Sequence, residues 1–167
     1  MNVQEATTRR LPDLKERHLP ENCRETINTI LKETYGYEQF RNLEIYDDLS
    51  KGKEKLCISQ GQLIENVILE AEKAWKGETQ VDNILLTAPT GSGKSLLFQL
   101  PAIYLGKEYN LLTIVVSPLK ALIVDQVESL QELGYTRVAY ASSDLSPEQK
   151  MEVYRQVRVG EIGRAHV

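Results

Sequence analysis

The spacing of hydrophobic positions along this chain changes near residue 83. Before it, apolar residues recur at helical spacing. From Glu21 the positions Ile27, Ile30, Leu31 and Thr34/Tyr35 predict a helix, with Gly36 placed to close it. Ser59 is placed to cap a second helix, whose stripe is Leu63, Ile64, Val67, Ile68, Ala71 and Trp75, and Gly77 ends it. Trp75 is expected in the core. Residues 1–20, polar and carrying Pro12 and Pro20, read as an extended or frayed lead-in. Residues 42–58 are charged, with Lys51-Gly52-Lys53-Glu54-Lys55 as a loop, and read as a solvated connection.

Beyond residue 83, short apolar runs alternate with helical stripes. Asn83–Ala88, Leu111–Ser117 and Thr136–Ala141 read as buried strands. Lys94–Gly106 is a helix carrying Leu96, Leu97, Leu100 and Ile103, with Pro101 expected to bend it. Leu119–Leu133 is another, with Leu122, Ile123, Gln126, Val127 and Leu130 on one side and Gly134 at its end. Ser146-Pro147-Glu148-Gln149 forms a capping box with Pro at the first helical position, opening a helix to about Val159. This alternation predicts an α/β fold with a parallel sheet and helices on both faces, behind a helical N-terminal segment.

The first expected strand runs straight into Ala88-Pro89-Thr90-Gly91-Ser92-Gly93-Lys94-Ser95. A buried strand, a glycine-rich turn, Gly-Lys-Ser and a helix form the context of a phosphate-binding loop. Gly91 and Gly93 let the backbone curl with its N–H groups inward, and the helix start adds its free N–H groups and positive dipole end. Lys94 would reach the β- and γ-phosphates of ATP, and the Ser95 hydroxyl would ligate Mg²⁺. The chain is thus expected to be a P-loop NTPase. The usual pattern begins with Gly; here that place holds Ala88. The alternative is an ordinary surface turn after a buried strand.

Composition narrows the class. With 167 residues the chain has room for one ordinary core, and 41% hydrophobic against 26% charged residues marks it as globular. A net charge of -4 lends nucleic-acid binding no support but leaves room for a local basic patch. Cys23 and Cys57 are too few for a disulfide framework or a metal cluster. No apolar run approaches the ~20 residues of a membrane helix, and Met1–Arg10 lack the apolar core of a signal peptide. A cytoplasmic protein is expected, in the nucleoid or nucleus if its substrate is DNA.

A second constellation, Ser117-Pro118-Leu119-Lys120-Ala121-Leu122-Ile123-Val124-Asp125-Gln126-Val127, leaves the carboxyl end of an expected strand and enters a helix. Ligands of open α/β sheets bind at that end. Free N–H groups there, with Lys120, would suit a phosphodiester backbone; an ordinary strand-to-helix turn is the alternative. Ser142-Ser143-Asp144 after the third expected strand has the same two readings: hydroxyls donating to phosphates, or local turn bonds.

Together these segments resemble the RecQ-type branch of the superfamily 2, DEAD/DEAH-type, helicases. Ala88–Ser95 followed by Leu96-Leu97-Phe98-Gln99-Leu100-Pro101-Ala102 is similar to motif I of that branch. Val115-Val116-Ser117-Pro118-Leu119 with Asp125-Gln126-Val127 is similar to motif Ia, and Ala141-Ser142-Ser143 occupies the place of the next strand-end loop. Tyr35-Gly36 with Phe40-Arg41 resembles the aromatic-Arg segment before the ATP site, although read alone it is an aromatic turn packing on a core. The likeness is strong over residues 83–161 and weak over 25–76.

The resemblance implies an incomplete RecA-like sheet and an ATP-driven helicase or translocase acting on nucleic acid, with single-stranded DNA favoured over RNA. By carry-over, Thr90, Gly91, Ser92, Gly93, Lys94 and Ser95 bind triphosphate and Mg²⁺, while Pro118, Leu119, Ser142 and Ser143 line the strand track, which Lys120 joins by its charge. Arg41 and a glutamine would contact adenine. The family places that glutamine three residues after the Arg, where this chain has Glu44, so Gln62 is the preferred substitute and residues 45–58 an insertion.

The family's Asp-Glu pair occurs nowhere in the 167 residues, and the second RecA-like domain with its arginine fingers is expected to lie outside them. The expectation is an N-terminal extension over 1–58 and a first RecA-like domain over 59–161, stopping before the acidic motif and inactive alone. Residues 162–167, Ile-Gly-Arg-Ala-His-Val, are expected to be a non-native tail, because ATC GGA AGA GCA CAC GTC, which encodes them, resembles a sequencing adapter. The functional alternatives are a P-loop switch or kinase-like protein, and a non-catalytic nucleotide or nucleic-acid binding module.

Overall fold

The computed structural model describes residues 16–46, 55–86 and 91–162. Their elements run α1 (Glu21–Tyr35), β1 (Asn42–Tyr46), β2 (Lys55–Ser59), α2 (Gln60–Trp75), α3 (Leu96–Tyr109), α4 (Lys120–Glu132) and α5 (Pro147–Val159). Two compact units divide them: residues up to Glu25 with Gln39–Pro101, and Thr26–Glu38 with residues from Ala102 onward.

The five helices among the described residues lie where the sequence places them, the first four on hydrophobic stripes and the last behind its capping box. α1 buries Ile27, Ile30 and Leu31. Gly36, at φ 69°, follows its last residue and donates to the Lys32 carbonyl at 3.0 Å. α2 starts where expected: the Ser59 hydroxyl accepts from the Gly61 N–H at 3.2 Å, and Leu63, Ile64 and Ile68 are buried. Each of those three side chains contributes roughly 1.5–3 kcal/mol of burial. The stripe outruns its surface, however. Trp75 is 58% exposed, correcting the expectation of a core residue. It lies one heptad after Ile68, on the helix's final residue. α3 is apolar all round and buries Leu96, Leu97, Leu100, Pro101, Ile103, Tyr104 and Leu105, the pattern of an interior helix. α5 carries the full capping box: the Gln149 N–H donates to Ser146 Oγ at 3.2 Å, and the Ser146 N–H donates to Gln149 Oε1 at 2.8 Å.

The described part of the charged stretch read as a solvated connection is a hairpin. β1 and β2 pair antiparallel in the register Asn42↔Ser59, Leu43↔Ile58, Glu44↔Cys57, Ile45↔Leu56 and Tyr46↔Lys55. Both runs alternate polar and apolar residues, so the buried Leu43 and Ile58 face each other while Glu44 and Cys57 are exposed. Charge density over 42–58 hides this two-residue period. Glu44, the residue in the family's glutamine position, instead accepts from Lys55 at 3.2 Å on the hairpin surface.

The three runs expected as buried strands are in no ladder among the described residues: 83–86, 111–117 and 136–141 carry no strand. Leu85 is 89% and Val116 90% exposed, while residues 137–140 are half-buried. A parallel strand is stable only with neighbours in the ladder and helices over both faces. Apolar, β-branched composition makes a run fit for that place without supplying the partners. Thr87 and Ala88 lie outside the described residues, as do 163–167 of the expected tail; Ile162 donates to the Gln156 carbonyl at 3.3 Å.

The lead-in is also better held than a frayed tail, at least over residues 16–20. Leu19 is buried and donates its N–H to Glu65 Oε2 at 3.0 Å. Arg17 donates to Glu70 Oε1 at 2.5 Å, where Lys73 also donates at 3.0 Å. The second Glu70 oxygen accepts the Asp82 N–H at 2.8 Å. Burial pushes the Glu70 carboxyl's pKa up, but the Asp82 N–H, Lys73 and Arg17 more than offset it, lowering it from 4.5 to about 2. Stability from such a depressed carboxylate is fully present above pH 4.5 and is lost as pH falls through about 2. Glu70→Gln should therefore cost about 2 kcal/mol at pH 7, allowing for screening of the partly exposed partners. In urea titrations from pH 7 to pH 2.5, the gap from wild type should close as the pH falls below 4.5; a constant gap would assign the loss to packing.

Candidate nucleotide-binding loop and strand-end turns

The loop before α3 has the backbone shape that its glycines allow. Gly91 and Gly93 sit at φ 80° and φ 78°, in the left-handed region that costs a side chain about 1–2 kcal/mol. The first turn tightens at once: Leu96 N–H donates to the Gly93 carbonyl at 3.2 Å and Leu97 N–H to the Lys94 carbonyl at 3.0 Å. The Ser95 carbonyl takes Gln99 N–H at 3.0 Å. Lys94 and Ser95 therefore form the turn leading into α3, which itself begins two residues later than the stripe indicated. Lys94 is exposed and Ser95 partly buried. The amino ends of the peptides in this turn have no earlier helical carbonyl to bond, which makes the place suited to an anion. Ala88, Pro89 and Thr90 lie outside the described residues.

Of the two residues expected at the adenine, Arg41 is exposed, and its backbone is tied to Gln60 rather than to Gln62. The Arg41 N–H donates to Gln60 Oε1 at 3.1 Å, and the Gln60 N–H donates to the Arg41 carbonyl at 2.9 Å. Phe40 is held beside them. A Cβ on Gly61 would meet Phe40 Cδ2 at 2.7 Å, so only glycine lets the ring lie on the first turn of α2. Gln62 instead donates to the Arg17 carbonyl at 3.2 Å, and its Nε2 lies 3.4 Å from His18 Nδ1. His18 in turn is 3.5 Å from Glu65.

Gln60 is the residue that sequence reasoning passed over. It is 3% exposed, and its Nε2 donates to the Ser92 carbonyl at 3.3 Å and the Gly93 carbonyl at 3.4 Å. Its one visible signal was position: it is the first helical residue after the Ser59 cap, where a side chain can reach beyond the helix end.

In the other unit, the two expected strand-end turns meet. Lys120 Nζ lies 2.6 Å from Asp144 Oδ1. Each turn also bonds itself: the Leu119 N–H donates to Ser117 Oγ at 3.4 Å, and the Asp144 N–H donates to Ser142 Oγ at 3.3 Å. Ser143 Oγ reaches Asp144 at 3.5 Å. The hydrogen bond from Lys120 keeps the Asp144 carboxyl below its ordinary range, assisted by Lys120's charge, Ser143 and Lys150. Pro118 and Leu119 are exposed beside this pair.

Comparison with known proteins identifies the framework. Residues 60–166 match the DEAD/DEAH box helicase model. This chain belongs to the DEAD/DEAH box helicase family. Family membership implies a RecA-like P-loop fold. The chain is 32% identical over 132 residues to the ATP-dependent DNA helicase RecQ of Synechocystis sp., covering 79% of this chain and 21% of that protein. To the RecQ helicase of Haemophilus influenzae it is 30% identical over 142 residues, 85% of this chain and 18% of the other. To the ATP-dependent DNA helicase Q4 of Homo sapiens it is 38% identical over 78 residues, 47% of this chain and 6% of the other. The chain thus spans about a fifth or less of these relatives.

The loop geometry sets an expectation of its own. Gly93→Ala forces a side chain onto φ 78° and puts its Cβ 2.6 Å from Gln60 Nε2, displacing that amide from both carbonyls. Thermal and urea unfolding should show a loss of about 1–3 kcal/mol. Wild-type stability in this variant would mean that the loop readily adopts another shape.

Proposed function

We propose that this chain is the nucleotide-binding front portion of an ATP-dependent DNA helicase, comprising an extension over residues 1–58 and a first RecA-like domain over 59–161 built on a parallel sheet. The observation that carries this reading is the Gly91–Ser95 loop at the amino end of α3, within a match to the helicase family. In it, Thr90–Ser95 cradle the triphosphate of Mg·ATP. Lys94 supplies a point charge at the β- and γ-phosphates, and Ser95 holds Mg²⁺ through its hydroxyl. Arg41 and Gln62 face the adenine side. Pro118, Leu119, Lys120, Ser142 and Ser143 contact the backbone of single-stranded DNA in preference to RNA. The names of the RecQ relatives support DNA as the substrate, and its place of work is then the cytoplasm, nucleoid or nucleus. No helix among the described residues is long and apolar enough to cross a membrane.

Lys94→Ala removes the point charge aimed at the phosphates. Titrated with a fluorescent ATP analogue in Mg²⁺, the variant should lose at least tenfold in affinity, the scale of one charge-assisted hydrogen bond. Equal affinities for variant and wild type would refute the phosphate-loop assignment.

The strand-end turns make a separate expectation. Asp144 holds the cation that DNA phosphate needs, so Asp144→Asn should tighten single-stranded DNA a few-fold at low salt and steepen the salt dependence. Lys120→Ala should weaken DNA binding and flatten that dependence. Fluorescence anisotropy with matched DNA and RNA oligonucleotides measures both effects and the preference between the two polymers.

A further inference from the structure

The glutamine assigned above to the adenine side is already engaged. Gln62, on the first turn of α2, donates from Nε2 to the Arg17 carbonyl at 3.2 Å, and the same nitrogen lies 3.4 Å from His18 Nδ1. An amide nitrogen carries two hydrogens. One goes to the carbonyl. The other has the ring nitrogen as its acceptor in the tautomer that carries the imidazole proton on Nε2. A glutamine reads adenine by donating to N7 and accepting from N6. N7 can therefore take its hydrogen only by displacing residue 17 or 18.

Those residues are tied along α2. Leu19 is 2% exposed, and its N–H donates to Glu65 Oε2 at 3.0 Å, an oxygen that also lies 3.5 Å from His18 Nδ1. The Arg17 guanidinium donates to Glu70 Oε1 at 2.5 Å. The partners at 62, 65 and 70 spread over about two turns of the helix. Strap, helix start and the Gly91–Ser95 loop all belong to the same compact unit.

We propose that residues 17–19 form an autoinhibitory strap, which holds Gln62 in competition with the adenine of an incoming nucleotide. The proposal rests on the reading of Gln62 as the adenine residue. The strap's contacts lie on α2, at the partner of the base and not at that of the phosphates. Strap and base exclude each other, so the apparent affinity for ATP is reduced by the fraction of chains whose strap is off. Linkage makes the effect reciprocal, and bound ATP releases the strap. Arg17 sets the strap's strength through Glu70. With the guanidinium removed, Glu70 keeps Lys73 and the Asp82 N–H, so Arg17→Ala loosens the strap and leaves that carboxylate partnered.

The test uses the 167-residue chain, with fluorescent ATP in Mg²⁺ and, separately, inorganic pyrophosphate as probes. Arg17→Ala should tighten ATP about threefold to tenfold, the scale of one charge-assisted hydrogen bond partly open to water, and leave pyrophosphate unchanged. Wild type supplies a second measurement that does not depend on any variant folding. Trypsin cuts after Arg17 only when the strap is off α2. Saturating ATP should therefore speed cleavage at Arg17–His18 severalfold, followed by the mass of the fragment that begins at His18, and pyrophosphate should not. Unchanged or weaker ATP binding in a folded Arg17→Ala, equal tightening of both probes, or cleavage that ATP leaves alone or slows overturns the strap. Gln62→Ala added to Arg17→Ala separates the two claims. A loss of affinity confined to ATP keeps Gln62 at the adenine even where the strap fails. Any other result removes Gln62 from the adenine and overturns the strap with it.

Discussion

The buried amide of Gln60 is the constraint on which the proposed nucleotide site depends. It stands at the first residue of α2, just past the Ser59 cap, and joins a β-hairpin entrance to a glycine loop 32 residues further on. A buried amide without partners is costly, so this one discriminates strongly among backbone arrangements. Arg41 must present its N–H, and residues 92 and 93 must present their carbonyls. Gly61 and Gly93 are needed for the same reason, since the Phe40 ring and the Gln60 amide occupy the space that their side chains would take.

The rest of α2 repeats this use of polar side chains to fix backbone. Gln62 holds the Arg17 carbonyl, Glu65 the Leu19 N–H, and Glu70 the Asp82 N–H together with the Arg17 guanidinium. One face of the helix buries Leu63, Ile64 and Ile68 by area alone. The polar groups then select where the neighbouring chain segments lie, which apolar contact cannot do because it has no direction. Glu70 is nearly buried with two cations and a backbone N–H upon it, so leaving it with fewer partners would be expensive. The Lys120–Asp144 pair is different in kind. It is exposed, screened by salt and individually weak.

Much of this was legible in the sequence. The helices follow from apolar spacing and from local signals: the Ser59 cap, the Ser146–Gln149 box, and Gly36 after α1. The backbone turn at Gly91 and Gly93 was legible because left-handed φ is a property of the glycines themselves. The hairpin was equally present, as alternation in Asn42–Tyr46 and Lys55–Ser59, but the surrounding charges hid it. Trp75 shows the limit of periodicity: spacing says which face a residue occupies and not how far along the helix its cover extends.

Local order, then, was determined by the sequence itself, because caps, stripes and glycine turns are interactions over a few residues. Only tertiary structure decided which partners meet across long separations. It selected Gln60 rather than Gln62 beside Arg41, set Lys120 against Asp144 instead of leaving it open, and pinned Arg17 and Leu19 to α2. Among the described residues it also left the runs 111–117 and 136–141 outside any ladder despite their strand-like composition. The physical reason is common to all of them. A residue's type and spacing state what it can bond or bury, whereas the identity of the partner depends on backbone brought close by the packing of other segments.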